Sequence, residues 1–414
     1  MKKITNQFHG PKGANPNFNE EKVNPYKLPD LFHSISGKVI STFEEWNLER
    51  RPEILKFYED YIFGSSPVSA SVSFKKSGPE KVNIKKGICA QLYNIFLNQS
   101  NALLTQFVVF SPLNTKDPVP AFLGPNVLGN QSVTDLFSLP LSTAWVYPRP
   151  ELGIDDSGHT TPASIGAHSS RWPLEMIIKR GYAVVSFHYA DLFPDKPDGR
   201  SESIQPLFEH SAVSYSWGAL ATWAWGMIKV MDCLKYIENI NEQKVIAIGH
   251  SRLGKASLWA GAQDKRFAAV IANESGEGGA AISRRKFGER VSDIVQHFPH
   301  WFNEEYRLFS NEEERMPVDS HFLISLLAPR AVYISSAEED LWSDPKGEFS
   351  GLAEASKVWR LGDCVTDSSL YSEMPSIEEP LSGILSYHIR SGGHGITDYD
   401  WGNFLDFSDK FIKK

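Results

Sequence analysis

Lys244-Val245-Ile246-Ala247-Ile248-Gly249-His250-Ser251-Arg252-Leu253-Gly254-Lys255 is a short apolar, β-branched run that ends in a serine set between glycines. Consecutive apolar positions of this length mark a strand buried on both faces, as the strands of a parallel sheet are. The next stretch, Lys255-Ala256-Ser257-Leu258-Trp259-Ala260-Gly261-Ala262, is helix-like and rich in small residues that allow close packing on a sheet. Strand, sharp turn and helix together expose the Ser251 hydroxyl at the end of the strand. An ordinary turn with a serine capping the following helix gives the same local pattern. What separates the two readings is whether the rest of the chain supplies a base, an acid and oxyanion donors.

Around that turn the chain alternates strands and helices. Residues 121–124 predict a strand, 172–179 a helix feeding a strand at 182–187, and 216–237 a long apolar helix entering the strand before Ser251. Further strands are predicted at 268–272, 331–335 and 387–390. Such alternation implies a parallel sheet with right-handed crossovers. Residues 68–109 alternate apolar and polar positions in short runs, as antiparallel strands at a sheet edge do. Residues 44–63 carry Trp46, Ile54, Leu55, Tyr58 and Ile62 at helical spacing, and residues 1–35 predict an irregular arm. The fold expected is α/β, of the α/β-hydrolase type: a three-layer sandwich with a mostly parallel central sheet and an N-terminal extension. Residues 1–100 are expected to form an arm, helix and edge strands wrapping the core, and 101–414 the catalytic domain, a single structural domain overall.

With 414 residues, 41% hydrophobic and 12% aromatic, the chain can bury a large core. A net charge of −8 without a basic tract argues against nucleic acid as a partner. No apolar run approaches the roughly 20 residues that span a bilayer, so no membrane partner is expected. Most of the 11 tryptophans are expected in the core, with some on a carbohydrate-binding surface. Cys89, Cys233 and Cys364 show no metal-ligand spacing; Cys233 falls in a predicted helix as a buried thiol, and the count permits one disulfide. The start, Met1-Lys2-Lys3-Ile4-Thr5-Asn6, is basic but lacks the apolar core of a signal peptide. Either the protein is not exported or its signal has been removed.

Serine at its ordinary pKa is a weak nucleophile and needs an adjacent base. In the α/β-hydrolase arrangement the triad follows the chain order serine, acid, histidine. His394, in Ser391-Gly392-Gly393-His394-Gly395-Ile396, meets that order, following the last predicted strand in a glycine-rich loop. His388 falls inside that strand and is expected to pack, and His297, His300 and His321 come before the penultimate strand. His250, beside the serine on a tight turn, is expected to point elsewhere and be structural. Two acids qualify to orient the imidazole. Asp340 follows the 331–335 strand, where this fold usually supplies its acid, and Glu274 follows the preceding strand; the residues alone leave the choice open. Glu338 and Glu339 are expected to be solvated. Arg252 places its backbone N–H where an oxyanion donor belongs, and its guanidinium can add a charged one. Lys255, one turn on, is expected to put a second cation on the same rim, which points to an anionic or densely hydroxylated substrate.

Gly249-His250-Ser251-Arg252-Leu253-Gly254-Lys255 resembles the G-x-S-R-x-G-K signature of the glucuronoyl esterases, the fifteenth carbohydrate esterase family. The resemblance continues through Trp259-Ala260-Gly261-Ala262-Gln263-Asp264-Lys265-Arg266-Phe267, Glu274-Ser275-Gly276 with Gly278-Gly279-Ala280, and Ser283-Arg284-Arg285 with Gly288-Glu289. It extends to Arg171-Trp172-Pro173, to Ser336-Ala337-Glu338-Glu339-Asp340-Leu341-Trp342 and to Gly393-His394, and Arg50-Arg51-Pro52-Glu53-Ile54-Leu55 resembles the family's entry helix. It covers most of the chain, in the bacterial style. The resemblance implies a serine esterase that cleaves esters between alcohols, lignin-type alcohols included, and the carboxyl of 4-O-methyl-glucuronic acid on xylan. No metal or organic cofactor is implied. It implies Ser251 as nucleophile, His394 as base and Arg252 as oxyanion stabiliser through its side chain, with Lys255 and Glu289 on the sugar hydroxyls and Trp342 near the ring. Members use an acid at the position of Glu274, of Asp340, or of both; this chain has both, with a slight lean towards Glu274. The family shares the displaced glycine, Gly254, that follows Leu253. It also implies a secreted or periplasmic location, a carbohydrate partner, here glucuronic acid esters on xylan, and a monomer.

The chain departs from the family in two places. Fungal members pair a cysteine before the serine with one after the histidine, where this chain has His250 and Gly395. Many bacterial relatives carry a cysteine where this chain has Glu277, an added carboxylate expected near the site. Residues 152–170 and 298–317 are expected to form loops that reshape the cleft rim. Two other readings stay open: an acetyl-xylan or general carboxylesterase on the same fold, and an inactive carbohydrate-binding relative.

Overall fold

The computed structural model describes residues 11, 13–209, 216–362, 364 and 368–413; the basic start of the chain lies outside them. Its contacts form two compact units, one of Met1–Gly64, Gly249–Lys265 and Ala269–Ile396, the other of Ser65–Ile248, Arg266–Ala268 and Thr397–Lys414.

The second unit holds β1 (Val72–Lys76), β2 (Lys81–Asn83), β3 (Ile88–Leu97), β4 (Ala102–Pro112), β5 (Val119–Asn126), β6 (Ala183–His188) and most of β7 (Ile240–His250). Their order is β1-β3-β4-β6-β5-β7, with β2 on β3. The pairs from β1 to β6 are antiparallel, and β5 lies parallel to both β6 and β7. The sequence pattern explains the change of direction. β1 alternates half-buried and exposed positions, as an edge strand does, whereas every residue of β6 is buried. β3 and β4 form one hairpin with Leu97 opposite Ala102, so the division expected at residue 100 falls inside its turn. The helix Ala219–Leu234 is apolar nearly all round and buried along its length. Its indole N–H groups are still satisfied: Trp223 donates to the Phe193 carbonyl at 3.0 Å and Trp225 to that of Pro67 at 2.9 Å.

The first unit holds β8 (Ala269–Asn273), β9 (Ala331–Ala337) and β10 (Leu385–Arg390), parallel and wholly buried. The N-terminal helical run over 43–62 starts on a capping box in which Thr42 and Glu45 exchange hydrogen bonds, and includes two π-helical turns. It is built into this unit: Arg51 donates to the carbonyls of Ala262 at 2.5 Å and Leu326 at 3.1 Å, and Phe63 stacks on Trp259 with centroids 4.6 Å apart. Two long helices were not anticipated, Pro345–Leu361 in this unit and Asp398–Phe411 in the other. Nine of the tryptophans are buried, with Trp145 and Trp172 half-exposed. All three cysteines are free thiols, Cys233 buried as expected. Among the described residues no helix is long and apolar enough to cross a membrane.

Candidate active site

Ser251 closes β7 with φ 58° and ψ −131°, a backbone region that side chains other than glycine seldom adopt. The turn closes because Gly249 has no side chain; a Cβ there would lie 1.9 Å from the Leu253 carbonyl oxygen. Ser251 N–H donates to the Asn273 carbonyl at 2.8 Å and Gly254 N–H to that of Ser251 at 2.8 Å, fixing the elbow against the end of β8. Leu253, where a second glycine is usual, is buried. The helix Arg252–Gln263 starts directly from the serine.

His394, in the loop after β10, keeps a third of its side chain exposed and turns Nδ1 to two carboxylates. Asp340 Oδ2 lies 2.7 Å away and Glu274 Oε2 3.0 Å away. Both acids stand at strand ends, Asp340 after β9 and Glu274 after β8, and both are buried. Their surroundings differ. Burial pushes the Glu274 carboxyl up to about 7, against the pull of His394 and Arg390. Burial also acts on Asp340, but the charge and hydrogen bond of His394 outweigh it and leave that carboxyl below its ordinary value. For His394, burial favours the neutral ring, and the two carboxylates overcome this and raise its pKa.

Arg390, the buried last residue of β10, organises this loop. Its guanidinium donates to Glu274 Oε1 at 2.7 Å and to the carbonyls of Ser391, Gly393 and Gly395 at 2.9, 3.0 and 2.8 Å. Gly395 N–H donates to Glu274 Oε2 at 2.9 Å. Beneath lies Glu348, fully buried, which accepts from Ser275 Oγ, Gly276 N–H and Ser336 Oγ at 3.1, 2.9 and 2.6 Å and whose carboxyl burial pushes up to about 8. Neither residue was singled out from sequence. A guanidinium closing a buried strand that carries no other Lys, Arg, Asp or Glu is the signal that marks Arg390.

The cationic side differs from expectation. Lys255 is buried, not on a rim, and pairs with the equally buried Glu289 at 3.3 Å. Glu289 N–H donates to the Trp342 carbonyl at 2.9 Å, which brings Lys255, Glu289 and Trp342 together. The Arg252 guanidinium lies 4.8 Å above the Trp301 ring, and Trp301 stacks on Phe298 at 4.0 Å with planes 8° apart. Lys255 Nζ is 5.6 Å from the same Trp301 ring. Residues 298–317, read only as a loop, thus supply an aromatic ledge under two candidate site cations.

Two further expectations are corrected. His250 does not point away: its Nδ1 meets Asn273 Oδ1 at 2.5 Å and its ring centroid lies 4.5 Å from that of His394. It, Glu274 and His394 offer ligand atoms within 4.8 Å of one another, a trio able to hold a metal ion, although Glu274 is already engaged by Arg390 and Gly395. Glu277 faces Ser283 and Tyr306 at 2.6 and 2.9 Å, and burial pushes its carboxyl up to about 8. Near neutral pH it is largely uncharged, so it does not add a full negative charge. His388 packs inside β10 as expected, bonded to the Tyr333 hydroxyl at 2.9 Å.

The family model described as glucuronyl esterase, fungi, matches residues 150–362. A carbohydrate esterase, MZ0003, from an unknown prokaryotic organism is 35% identical over 96% of this chain and 92% of its own length. A promiscuous esterase of carbohydrate esterase family 15 from a marine bacterial metagenome superposes with TM-score 0.87 at 33% identity, over 96% of this chain and all of that one. A glucuronoyl esterase from Solibacter usitatus superposes with TM-score 0.86 at 38% identity, over 94% of this chain and 99% of that one.

Proposed function

The chain belongs to the fifteenth carbohydrate esterase family, the glucuronoyl esterases, and is a carboxylic ester hydrolase of the α/β-hydrolase fold; from that premise we propose that it cleaves esters of the (4-O-methyl-)glucuronic acid carboxyl on glucuronoxylan, as in lignin–carbohydrate linkages, through a Ser251–His394–acid triad. Ser251 Oγ attacks the ester carbonyl carbon while His394 Nε2 takes its proton. Asp340 and Glu274 on Nδ1 hold the ring and stabilise the imidazolium. The oxyanion is met by the Arg252 backbone N–H and guanidinium. Collapse expels the alcohol, which takes the proton from His394. Water, deprotonated by the same nitrogen, then releases the uronate and restores Ser251. In this reading Lys255 and Glu289, paired and buried, hydrogen-bond the sugar hydroxyls, with Trp342 against the ring.

The observation that carries this reading is the cationic pair, Arg252 and Lys255, on one aromatic ledge on the helix that starts at the serine. A uronate ester is a dense set of acceptors and hydroxyls, which suits such donors better than a plain acetyl group does. A broader carboxylesterase is the second reading, favoured by the similarity to an esterase described as promiscuous. Hydrolysis of benzyl glucuronate against nitrophenyl acetate, by the wild type and Ser251→Ala, decides between them. Serine-dependent glucuronate cleavage with weak acetate turnover is expected. Efficient acetate cleavage without glucuronate turnover would move the substrate to the second reading, and an active Ser251→Ala would refute the triad.

A further inference from the structure

The second unit contains a pocket of about 540 Å³ lined by both polar and apolar side chains, within the range of small-ligand sites. Its floor is built from side chains already held in place. Thr105 Oγ1 donates to Asp191 Oδ2 at 2.8 Å. His188, buried at the end of β6, has Nε2 against the Val127 carbonyl at 3.2 Å and Nδ1 against Ser142 Oγ at 2.8 Å. Asn130 donates to the Gln106 carbonyl at 2.8 Å while its own oxygen accepts from Asn126 at 2.8 Å. Thr105, Asn130 and His188 are each more than nine-tenths buried. Groups fixed in this way are pre-ordered for a ligand and lose little freedom on binding.

The walls are of a different kind. Trp145 and Leu103, the latter 57% exposed, border the pocket with apolar surface. The indole is seated on purpose-made ground: a Cβ at Gly158 (φ 84°) would lie 2.3 Å from Trp145 Nε1. Among the described lining residues none is Lys or Arg, while Asp191 and Glu202 are carboxylates. Lys196, 5.3 Å from the Trp145 ring, donates a hydrogen bond to Glu202 at 2.5 Å and is balanced by that carboxylate. An anion is therefore disfavoured here, in contrast to the Arg252–Lys255 site. Acceptors and amides below with an indole and a leucine at the side match a ligand that presents hydroxyls on its edge and C–H on its faces. A neutral glycosyl unit has that chemistry.

We propose that this pocket is a binding subsite for neutral sugar units of a glycan chain, separate in charge preference from the uronate site. That the chain is xylan-like rests on the function proposed above. The test is calorimetric titration of xylohexaose, which contains no ester, into the full-length Ser251→Ala protein with and without changes at Trp145. Binding is expected, about tenfold weaker with Trp145→Ala, the scale of one lost aromatic contact, and largely restored with Trp145→Phe. Thermal melting of each variant controls for folding. Sodium glucuronate is expected to show no affinity change on Trp145→Ala. Absent xylohexaose binding, equal binding by Trp145→Ala, or glucuronate affinity falling with that variant would each overturn the proposal. Trp145-dependent xylohexaose binding, together with a wild type that fails to cleave benzyl glucuronate, would refute the glucuronate reading and leave this subsite standing.

Discussion

At His394 one ring nitrogen faces Asp340 at 2.7 Å and Glu274 at 3.0 Å, so removing either carboxylate leaves the other in reach. Asp340→Asn is therefore expected to reduce kcat by less than the ~10⁴-fold that follows loss of a lone triad carboxylate, and only the double change with Glu274→Gln to approach it. The pH dependence carries a sign. Both carboxylates raise the His394 pKa, and only the neutral ring can accept the Ser251 proton. Activity thus rises with pH through that pKa, and removing Asp340 must move the acid limb of kcat/KM to lower pH. A pH profile of Asp340→Asn with an unmoved limb would show that Asp340 does not act on the base. Glu274 has a second task, since its other contacts run to Arg390 and Gly395 and hold the loop itself.

The loop that brings Phe298 and Trp301 under Arg252 follows a short helix, Val291–His297, and precedes the 3-10 turn Glu304–Phe309. Trp301 holds the guanidinium by its ring face, an interaction worth roughly 0.5–2 kcal/mol. If that contact places the oxyanion donor, Trp301→Ala lowers kcat by about 2- to 30-fold, and Trp301→Phe recovers part of the loss. Steady-state kinetics on a small glucuronate ester check it: a change confined to KM would make Trp301 a substrate contact instead. Sequence patterns could not show this ledge, because a loop has no periodicity to say which neighbour its aromatic residues meet. The strands were legible for the opposite reason: β6 opens on Ala183-Val184-Val185, β8 on Ala269-Val270-Ile271-Ala272 and β9 on Ala331-Val332-Tyr333-Ile334, short apolar runs buried on both faces. The helix Pro345–Leu361 escaped notice because Gly347, Gly351 and polar residues dilute its apolar stripe, although Asp344 caps it by accepting from Gly347 N–H at 2.9 Å. The candidate serine, histidine and both acids were legible because each closely follows a strand. Arg390 and Glu348 act from behind them, through contacts between segments distant in sequence.

Across the molecule, buried acids tie stability to pH in a direction opposite to that of paired surface carboxylates. Glu277 and Glu348 are both enclosed, and burial pushes each carboxyl up to about 8 from an ordinary 4.5. The folded chain therefore keeps these two protons over a range in which the unfolded chain has released them. Where the folded state binds more protons, stability falls as pH rises. The contribution is fully present below about pH 4.5 and is lost as pH climbs through about 8. Glu348→Gln imitates the protonated side chain, since its carbonyl can accept from Ser275 and Gly276 and its amide can donate to Ser336. The melting temperature of Glu348→Gln is accordingly expected to fall less than that of the wild type between pH 5 and 8.5, with the two proteins closest at the acid end. Parallel melting curves over that range would mean that Glu348 is ionised in the folded protein, and that Ser275, Ser336 and the Gly276 amide stabilise a buried charge there.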